Sequence, residues 1–107
     1  MPPKNEKEYR RLRRLDPVAS ARDRETKKWS TVKLKYGLTK AQYLAIVEAQ
    51  HGLCALCGHH LRSPVIDHSH KTGRVRGVVC RGCNSALGAF GDDPMRLRAA
   101  ADYVEER

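Results

Sequence analysis

Four cysteines, arranged as two C-x-x-C pairs, constrain the fold of this chain more than any other feature. The pairs are Cys54–Cys57 and Cys80–Cys83, with 22 residues between them. Two such pairs match the tetrahedral four-sulfur ligand set of a structural zinc ion. No cysteine lies elsewhere in the chain, and two disulfides are the alternative. The spacing, and a polar N-terminus without an apolar signal segment, favour zinc.

A metal ion is also what a chain of this size and composition needs for stability. The chain has 107 residues but only one Trp, one Phe and four Tyr, so a large aromatic core cannot form. Domains this small are often held together by a metal or by disulfides. Structural zinc contributes about 10–16 kcal/mol in small finger peptides. We therefore expect the metal-free protein to be largely unfolded.

Positive charge is concentrated in the first third of the chain. Residues 1–36 contain 12 Lys/Arg and 5 Asp/Glu, a net charge of +7, whereas the remaining residues contain 9 and 7, a net charge of +2. We divide the chain into a basic, helical N-terminal arm over residues 1–37 and a zinc-bound domain over residues 38–107. The charge favours a nucleic-acid partner over the alternative of a solvated helix surface. No stretch approaches the roughly 18 apolar residues of a membrane span, so no membrane association is expected.

Proline, glycine and capping residues divide the chain into helices and one hairpin. Helices are predicted over residues 4–15 and 18–36, from Thr39 to Gly52, over residues 84–90, and from Pro94 onward with Asp93 as N-cap. Strands are predicted over residues 64–68 and 75–79, joined by a turn. This order indicates an α+β fold, in which a ββα unit is tied together by zinc.

Polar residues enclosed by the cysteine pairs form a second candidate site. Asp67 and His68 end the first predicted strand, His70 follows in the turn, and Asn84 comes directly after the last cysteine. Asp67 and Asn84 offer the hard oxygen ligands that suit Mg²⁺ or Mn²⁺. A histidine can accept a proton at neutral pH, so His68 is a candidate general base. A cation and a base together meet the needs of phosphodiester hydrolysis.

Each of these residues also has a structural interpretation. Asp67 could cap the turn, His68 and His70 could be exposed loop residues, and Asn84 could be a helix N-cap, a role we expect in any case. Successive side chains on a regular strand point to opposite faces. Asp67 and His68 can therefore serve one site only if the strand ends or bulges there.

The segment from about Leu38 to Phe90 resembles the recombination endonuclease VII family, within the HNH or ββα-metal nucleases. The matching elements are Cys54-x-x-Cys57, Asp67-His68-Ser69-His70, and Arg76-Gly77-Val78-Val79-Cys80-Arg81-Gly82-Cys83-Asn84. The resemblance implies a small zinc-stapled ββα-metal (His-Me finger) core with flanking helices. It implies that Asp67 and Asn84 bind the catalytic cation, that His68 activates water, and that His70 is an auxiliary residue at the scissile phosphate. It also implies that the four cysteines hold the structural zinc.

The sequence departs from this family pattern on the helix after Asn84. HNH enzymes often add a final His or another polar residue there, whereas residues 85–90 contain no such ligand. We therefore expect a cation with two protein ligands and several waters, which Mg²⁺ tolerates.

Five basic residues lie around these motifs and are candidate DNA phosphate contacts: Arg62, Lys71, Arg74, Arg76 and Arg81. Ordinary surface charge is the alternative, and we expect two or three to be true contacts. The expected function is a metal-dependent DNA endonuclease that nicks or cuts duplex or branched DNA. The alternatives are a non-catalytic zinc module that binds nucleic acid and a nuclease subunit that needs a phage packaging partner. The resemblance implies a phage-encoded protein in the bacterial cytoplasm, and leaves a homodimer and recombination partners open.

Overall fold

A computed structural model describes residues 2–107, which form helices and one β-hairpin. Within these residues the helices are Glu6–Leu15 (α1), Pro17–Tyr36 (α2), Lys40–Ala49 (α3), Arg81–Ala89 (α4) and Pro94–Glu106 (α5). The strands Pro64–His68 (β1) and Val75–Cys80 (β2) pair in antiparallel fashion. The predicted α+β class is confirmed. The chain divides into two compact units between Lys40 and Ala41, three residues after the predicted boundary.

The first unit consists of α1 and α2, joined by a proline break. The Asp16 side chain caps α2 by accepting hydrogen bonds from the backbone N–H groups of Val18 and Ala19, at 3.0 and 3.2 Å. Arg13 of α1 pairs with Asp23 of α2 at 2.8 Å, an exposed ion pair that contributes little by itself. Among the described residues, neither helix has a buried side chain. No helix within residues 2–107 is both long and apolar enough to span a membrane.

One face of α1 is strongly basic. The spacing i, i+3, i+4, i+7 places four exposed side chains in a row, namely Lys7, Arg10, Arg11 and Arg14. Arg10 pairs with Glu6 at 2.6 Å. In the described part of the chain, no carboxylate lies within ion-pairing distance of the other three. The row therefore presents uncompensated positive charge to solvent.

The core of the second unit lies on the hairpin. Ile66 and Val78 oppose each other in the ladder and are 9% and 0% exposed. Val79 and Cys54 are buried beside them. Helix α4 packs against both strands, which confirms the predicted ββα unit.

Gln50, just after α3, binds the outer edge of β2 where a third strand would otherwise pair. Its amide oxygen accepts a hydrogen bond from the Val78 N–H at 2.9 Å. Its amide nitrogen donates to the carbonyl oxygens of Val78 and Leu53, both at 2.8 Å. Gly77 leaves room for this amide, because a Cβ there would lie 3.1 Å from the Gln50 Oε1. Gln50 thus satisfies backbone groups that cannot reach water.

The cysteine pairs meet beside the hairpin. The sulfur atoms of Cys54, Cys57 and Cys80 lie within 4.8 Å of one another, and all four cysteines are free of disulfides. Burial acts to raise the pKa of Cys54, but backbone N–H groups of Cys57, Cys80 and Leu56 donate to its sulfur at 3.3–3.4 Å. They outweigh burial and lower its pKa to about 6. Three sulfur atoms that lie this close together, one of them stabilised as a thiolate by backbone N–H groups, suggest a structural zinc site.

Cys83 is the fourth predicted ligand of that site. Its sulfur is not part of the three-atom group, but it interacts with the sulfurs of Cys54 and Cys57. Desolvation and these two neighbours raise the pKa of Cys83 to about 12. A divalent cation would remove this proton and complete a four-sulfur site.

Helix α4 begins earlier than predicted. Its first residue is Arg81 rather than Asn84, and Cys80 is the N-cap, with φ −64° and ψ 150°. The predicted N-cap role of Asn84 is therefore wrong. The reason is that the chain turns directly from β2 into the helix at the second C-x-x-C pair. For α5, the predicted Asp93 N-cap is confirmed by a 2.9 Å hydrogen bond from the Met95 N–H.

Replacing Gln50 with Ala should lower the free energy of unfolding by about 1–3 kcal/mol, because the buried N–H of Val78 loses its acceptor. Urea denaturation of the zinc-loaded protein, followed by circular dichroism, measures this change. Glu48→Ala, an exposed substitution on α3, should change it by less than about 0.5 kcal/mol. Equal losses in the two variants would show that the Gln50 bridge has no special role.

Removing zinc with a strong chelator should unfold the second unit, because metal binding supplies about 10–16 kcal/mol in comparable small sites. Elemental analysis should find a single zinc ion per chain, and Cys83→Ser should reduce that occupancy. Thermal melting by circular dichroism compares loaded and chelated protein. A chelated protein that melts like the untreated one would refute a structural zinc.

Candidate functional site

The hairpin ladder is irregular at the end where the predicted site lies. Asp67 pairs with Gly77, but His68 pairs with Val75, so Arg76 is an extra residue on β2. A β-bulge of this kind breaks the alternation of side chains and bends the strand. The extra residue lies on β2, so the alternation of side chains changes at Arg76, whereas Asp67 and His68 are consecutive on β1. Strand β1 ends at His68, and this strand end is the condition under which Asp67 and His68 can serve one site.

The extra residue, Arg76, binds the carboxylate of Asp67. Its Nε donates to Oδ2 at 2.8 Å and its Nη2 donates to Oδ1 at 2.9 Å. In a regular ladder Arg76 would lie opposite His68 and share a face with it, on the far side from Asp67. Asp67 is only 7% exposed, and a buried carboxylate without a partner is costly. Arg76 therefore compensates the charge of Asp67.

A second carboxylate, Asp92, binds the same guanidinium. Arg76 donates to it through Nη1 at 3.1 Å and Nη2 at 2.7 Å. These bonds raise the pKa of Arg76 and lower the pKa of Asp92, and the charges of His70 and His68 lower the pKa of Asp92 further. Asp92 was not among the predicted site residues, because the Asp92-Asp93-Pro94 run is also the signature of a helix start.

The two histidines of the motif lie side by side. The ring centroids of His68 and His70 are 5.1 Å apart, and the rings are tilted by 43°. His68 is half-buried and His70 is exposed. Ser69 fixes the intervening loop, since its N–H donates to the Arg74 carbonyl at 2.8 Å and its Oγ accepts from the Thr72 N–H at 3.3 Å. The His68 ring therefore lies at the end of β1, and the His70 ring lies beside it in the loop.

Asn84 lies in the first half of α4. Residues three apart on a helix share a face, so Asn84 and Leu87 point the same way. Leu87 lines a groove of about 190 Å³ together with Asp67 and Arg76. Asn84 itself is not among the described residues that line this groove. Because the next residue on that face is the apolar Leu87, α4 adds no further oxygen or nitrogen ligand there.

The five basic residues near the motifs fall into two groups. Arg76 is held by two carboxylates. The other four are exposed, and among the described residues no carboxylate lies within ion-pairing distance of them: Arg62, Lys71, Arg74 and Arg81. These four can bind phosphate without breaking an ion pair, whereas Arg76 cannot.

Comparison with known proteins agrees with this arrangement. The family model for recombination endonuclease VII matches residues 29–106. The Gene 59 protein of Mycobacterium phage D29 is 38% identical over 89 residues, which cover 78% of this chain and 53% of that protein. The Gene 59 protein of Mycobacterium phage L5 is 42% identical over 87 residues, which cover 76% and 52%. The chain spans about half the length of these curated relatives. Since the family model covers both cysteine pairs and the whole hairpin, the chain belongs to the recombination endonuclease VII family.

Proposed function

We propose that this chain is a metal-dependent DNA endonuclease of the HNH type, which hydrolyses phosphodiester bonds in duplex or branched DNA. Membership of the recombination endonuclease VII family supports nuclease chemistry on DNA. The observation that carries the proposal is the end of β1, where the buried Asp67 carboxylate is followed by the paired imidazoles of His68 and His70. This hairpin is packed against α4, the helix that carries Asn84.

Asp67 and Asn84 are the residues that would hold the catalytic cation. A carboxylate and an amide oxygen are the hard ligands that suit Mg²⁺ or Mn²⁺, and Mg²⁺ retains several waters. A carboxylate has about four lone-pair sites. Arg76 occupies one on each Asp67 oxygen, so acceptor sites remain on both. When bound, the cation would stabilise charge on the phosphate and on the leaving oxygen.

His68 would act as the general base. A ring nitrogen takes the proton from the attacking water, and its oxygen forms a bond to the phosphorus. The P–O bond to the leaving sugar oxygen breaks, and that oxygen takes up a proton from solvent water. The half-buried position of His68 at the end of β1 limits its motion, which favours a defined direction of attack. The exposed His70, next to it, is suited to contact the scissile phosphate.

The zinc cluster would position these groups without taking part in the reaction. Cys80 is both the last residue of β2 and the N-cap of α4, and Cys83 lies within α4. A zinc ion bound to both would fix the start of the helix against the hairpin. Asn84 directly follows Cys83, so its position relative to Asp67 would depend on the metal.

Exposed basic residues would supply non-specific affinity for DNA. Within residues 2–107, no carboxylate pairs with Arg62, Lys71, Arg74 or Arg81, and the same holds for most of the basic row on α1. Such side chains hold the phosphate backbone without reading bases. We extend the proposal to a phage-encoded protein that acts in the cytoplasm of an infected bacterium. A second copy of this chain and phage packaging or recombination proteins are the proposed protein partners.

One observation favours a second function, that of a non-catalytic zinc module that binds nucleic acid. Both oxygens of Asp67 already accept hydrogen bonds from Arg76, and α4 offers Leu87 where a further ligand would lie. A nuclease subunit that is active only with a partner would likewise show no cleavage when it is tested alone. Cleavage assays with and without candidate partners distinguish the three functions.

Replacing His68 with Ala should reduce the rate of DNA cleavage by about 100- to 10,000-fold, the usual contribution of a general base. Supercoiled plasmid and a four-way junction, each with Mg²⁺ or Mn²⁺, measure nicking and junction cutting. His59→Ala is the matched control, since His59 is an exposed histidine of the first cysteine loop. Undiminished cleavage by His68→Ala would remove His68 from the role of base.

Asn84→Ala should impair cleavage at low Mg²⁺ more than at high Mg²⁺, because it removes a cation ligand. Ser85→Ala, the next and exposed position of α4, is its control. Absence of cleavage by the unmodified protein on every substrate, with intact DNA binding, would favour the binding module.

The double variant Lys71→Ala/Arg74→Ala should weaken the salt dependence of DNA binding. The plot of log K against log salt has a negative slope on duplex DNA, and each lost phosphate contact makes it less steep by about 0.9. Fluorescence anisotropy without divalent cations measures this slope. Arg98→Ala/Arg107→Ala removes the same charge from exposed positions of the C-terminal segment and serves as the control. Equal slope changes in the two variants would indicate a general charge effect rather than contacts by the loop.

A further inference from the structure

We propose that Asp92 is a positioning residue of this site, which holds Arg76 so that the Asp67 carboxylate keeps a fixed orientation and an excess of negative charge for a cation. This inference rests on the proposed function and deepens it. Asp92 lies in the turn after α4, outside the residues that the sequence patterns pointed to. It reaches the hairpin through one guanidinium.

The first support is the geometry of that guanidinium. All three nitrogens of Arg76 donate, and Nη2 serves both carboxylates, with 2.9 Å to Asp67 and 2.7 Å to Asp92. A guanidinium is planar and rigid, so two carboxylates bound along its edges are fixed relative to each other. Asp92 therefore determines the direction from which Arg76 meets Asp67.

The second support is that Asp92 is itself held firmly. Its backbone lies in the left-handed region, with φ 55°, and its N–H donates to the Leu87 carbonyl at 2.8 Å. Non-glycine residues in this region are uncommon, although Asp tolerates it better than most. Leu87 also lines the Asp67 groove. The turn that carries Asp92 is thus attached to the helix face that borders the site.

The third support is the charge of the group. Asp67 and Arg76 alone would form a neutral pair, which attracts a cation poorly. With Asp92 included, two carboxylates face one guanidinium, and the group carries a net charge of −1. Asp92 would thereby allow Arg76 to compensate the buried Asp67 without cancelling the attraction for a divalent cation.

The test is Asp92→Asn in the zinc-loaded full chain, with Asp93→Asn as the matched control. Asn preserves the size of the side chain but removes the charge, and at position 93 it still caps α5. Mn²⁺ binding in the absence of DNA, followed by electron paramagnetic resonance, is the main readout. Zinc content, melting temperature and the Mg²⁺ dependence of cleavage are recorded beside it.

We expect Asp92→Asn to weaken Mn²⁺ binding about 10-fold, the low end of the effect of losing a direct partner of a metal ligand, because Asp92 acts on Asp67 through Arg76. The Mg²⁺ concentration for half-maximal cleavage should rise by a similar factor. Zinc content should not change, and Asp93→Asn should behave like the unmodified protein. Unchanged Mn²⁺ binding in Asp92→Asn, or an equal loss in Asp93→Asn, would overturn the inference.

A further variant covers the case in which Asp92→Asn does not fold. Arg76→Lys keeps the charge but loses the planar fork, so it should cause a comparable loss of Mn²⁺ affinity. Normal Mn²⁺ affinity in this variant would overturn the inference. If the unmodified protein neither binds Mn²⁺ nor cleaves DNA, the proposed function fails as well. If it does both and Asp92→Asn does the same, only the role of Asp92 fails.

Discussion

The sulfur cluster is the constraint on which the rest of the second unit depends. It joins the loop at Cys54 and Cys57, the end of β2 at Cys80 and the start of α4, segments far apart in the sequence. The apolar side chains buried in that unit are few and small, with Val78 the largest that is completely buried. A two-stranded sheet is marginal by itself in water. The cluster, together with the Gln50 bridge to β2, therefore has to supply the order that a larger core provides elsewhere.

The Asp67–Arg76 pair faces two opposing requirements. A buried carboxylate needs compensation, because desolvation of a lone charge is costly. A cation ligand needs negative charge and open lone pairs. The geometry meets both, since Arg76 takes one lone pair from each oxygen and shares its own charge with Asp92. The bulge makes this arrangement reachable, because without it Arg76 would lie on the other face of the hairpin.

The sequence predicted those parts of the molecule that depend on local or strongly patterned signals. The cysteine pairs, the two strands, the end of α2 at Tyr36 and the Asp93–Pro94 helix start belong to this class. The start of α4 was placed too late, because a C-x-x-C pair gives no sign of whether it lies in a loop or a helix. The partners of Arg76 were beyond prediction, since a basic residue near a phosphate site has the same sequence signature whether it binds DNA or a carboxylate. Asp92 was not predicted for a similar reason, because the start of a helix is enough to explain the Asp92-Asp93-Pro94 run.

Helix α4 offers the proposed cation no ligand beyond Asn84. The turn after α4 therefore matters, because it carries the carboxylate of Asp92. Leu87 contributes an apolar side chain to the groove beside Asp67, which adds no charge and no oxygen or nitrogen ligand. If the site binds a divalent cation, negative charge beyond that of Asp67 has to come from a neighbouring element. Asp92 is the carboxylate that shares the Arg76 guanidinium with Asp67. The functional unit then extends beyond the two cysteine pairs to the turn at residue 92. A zinc module that only binds DNA would need the sulfur cluster and the basic surface, but neither the bulge nor this second carboxylate.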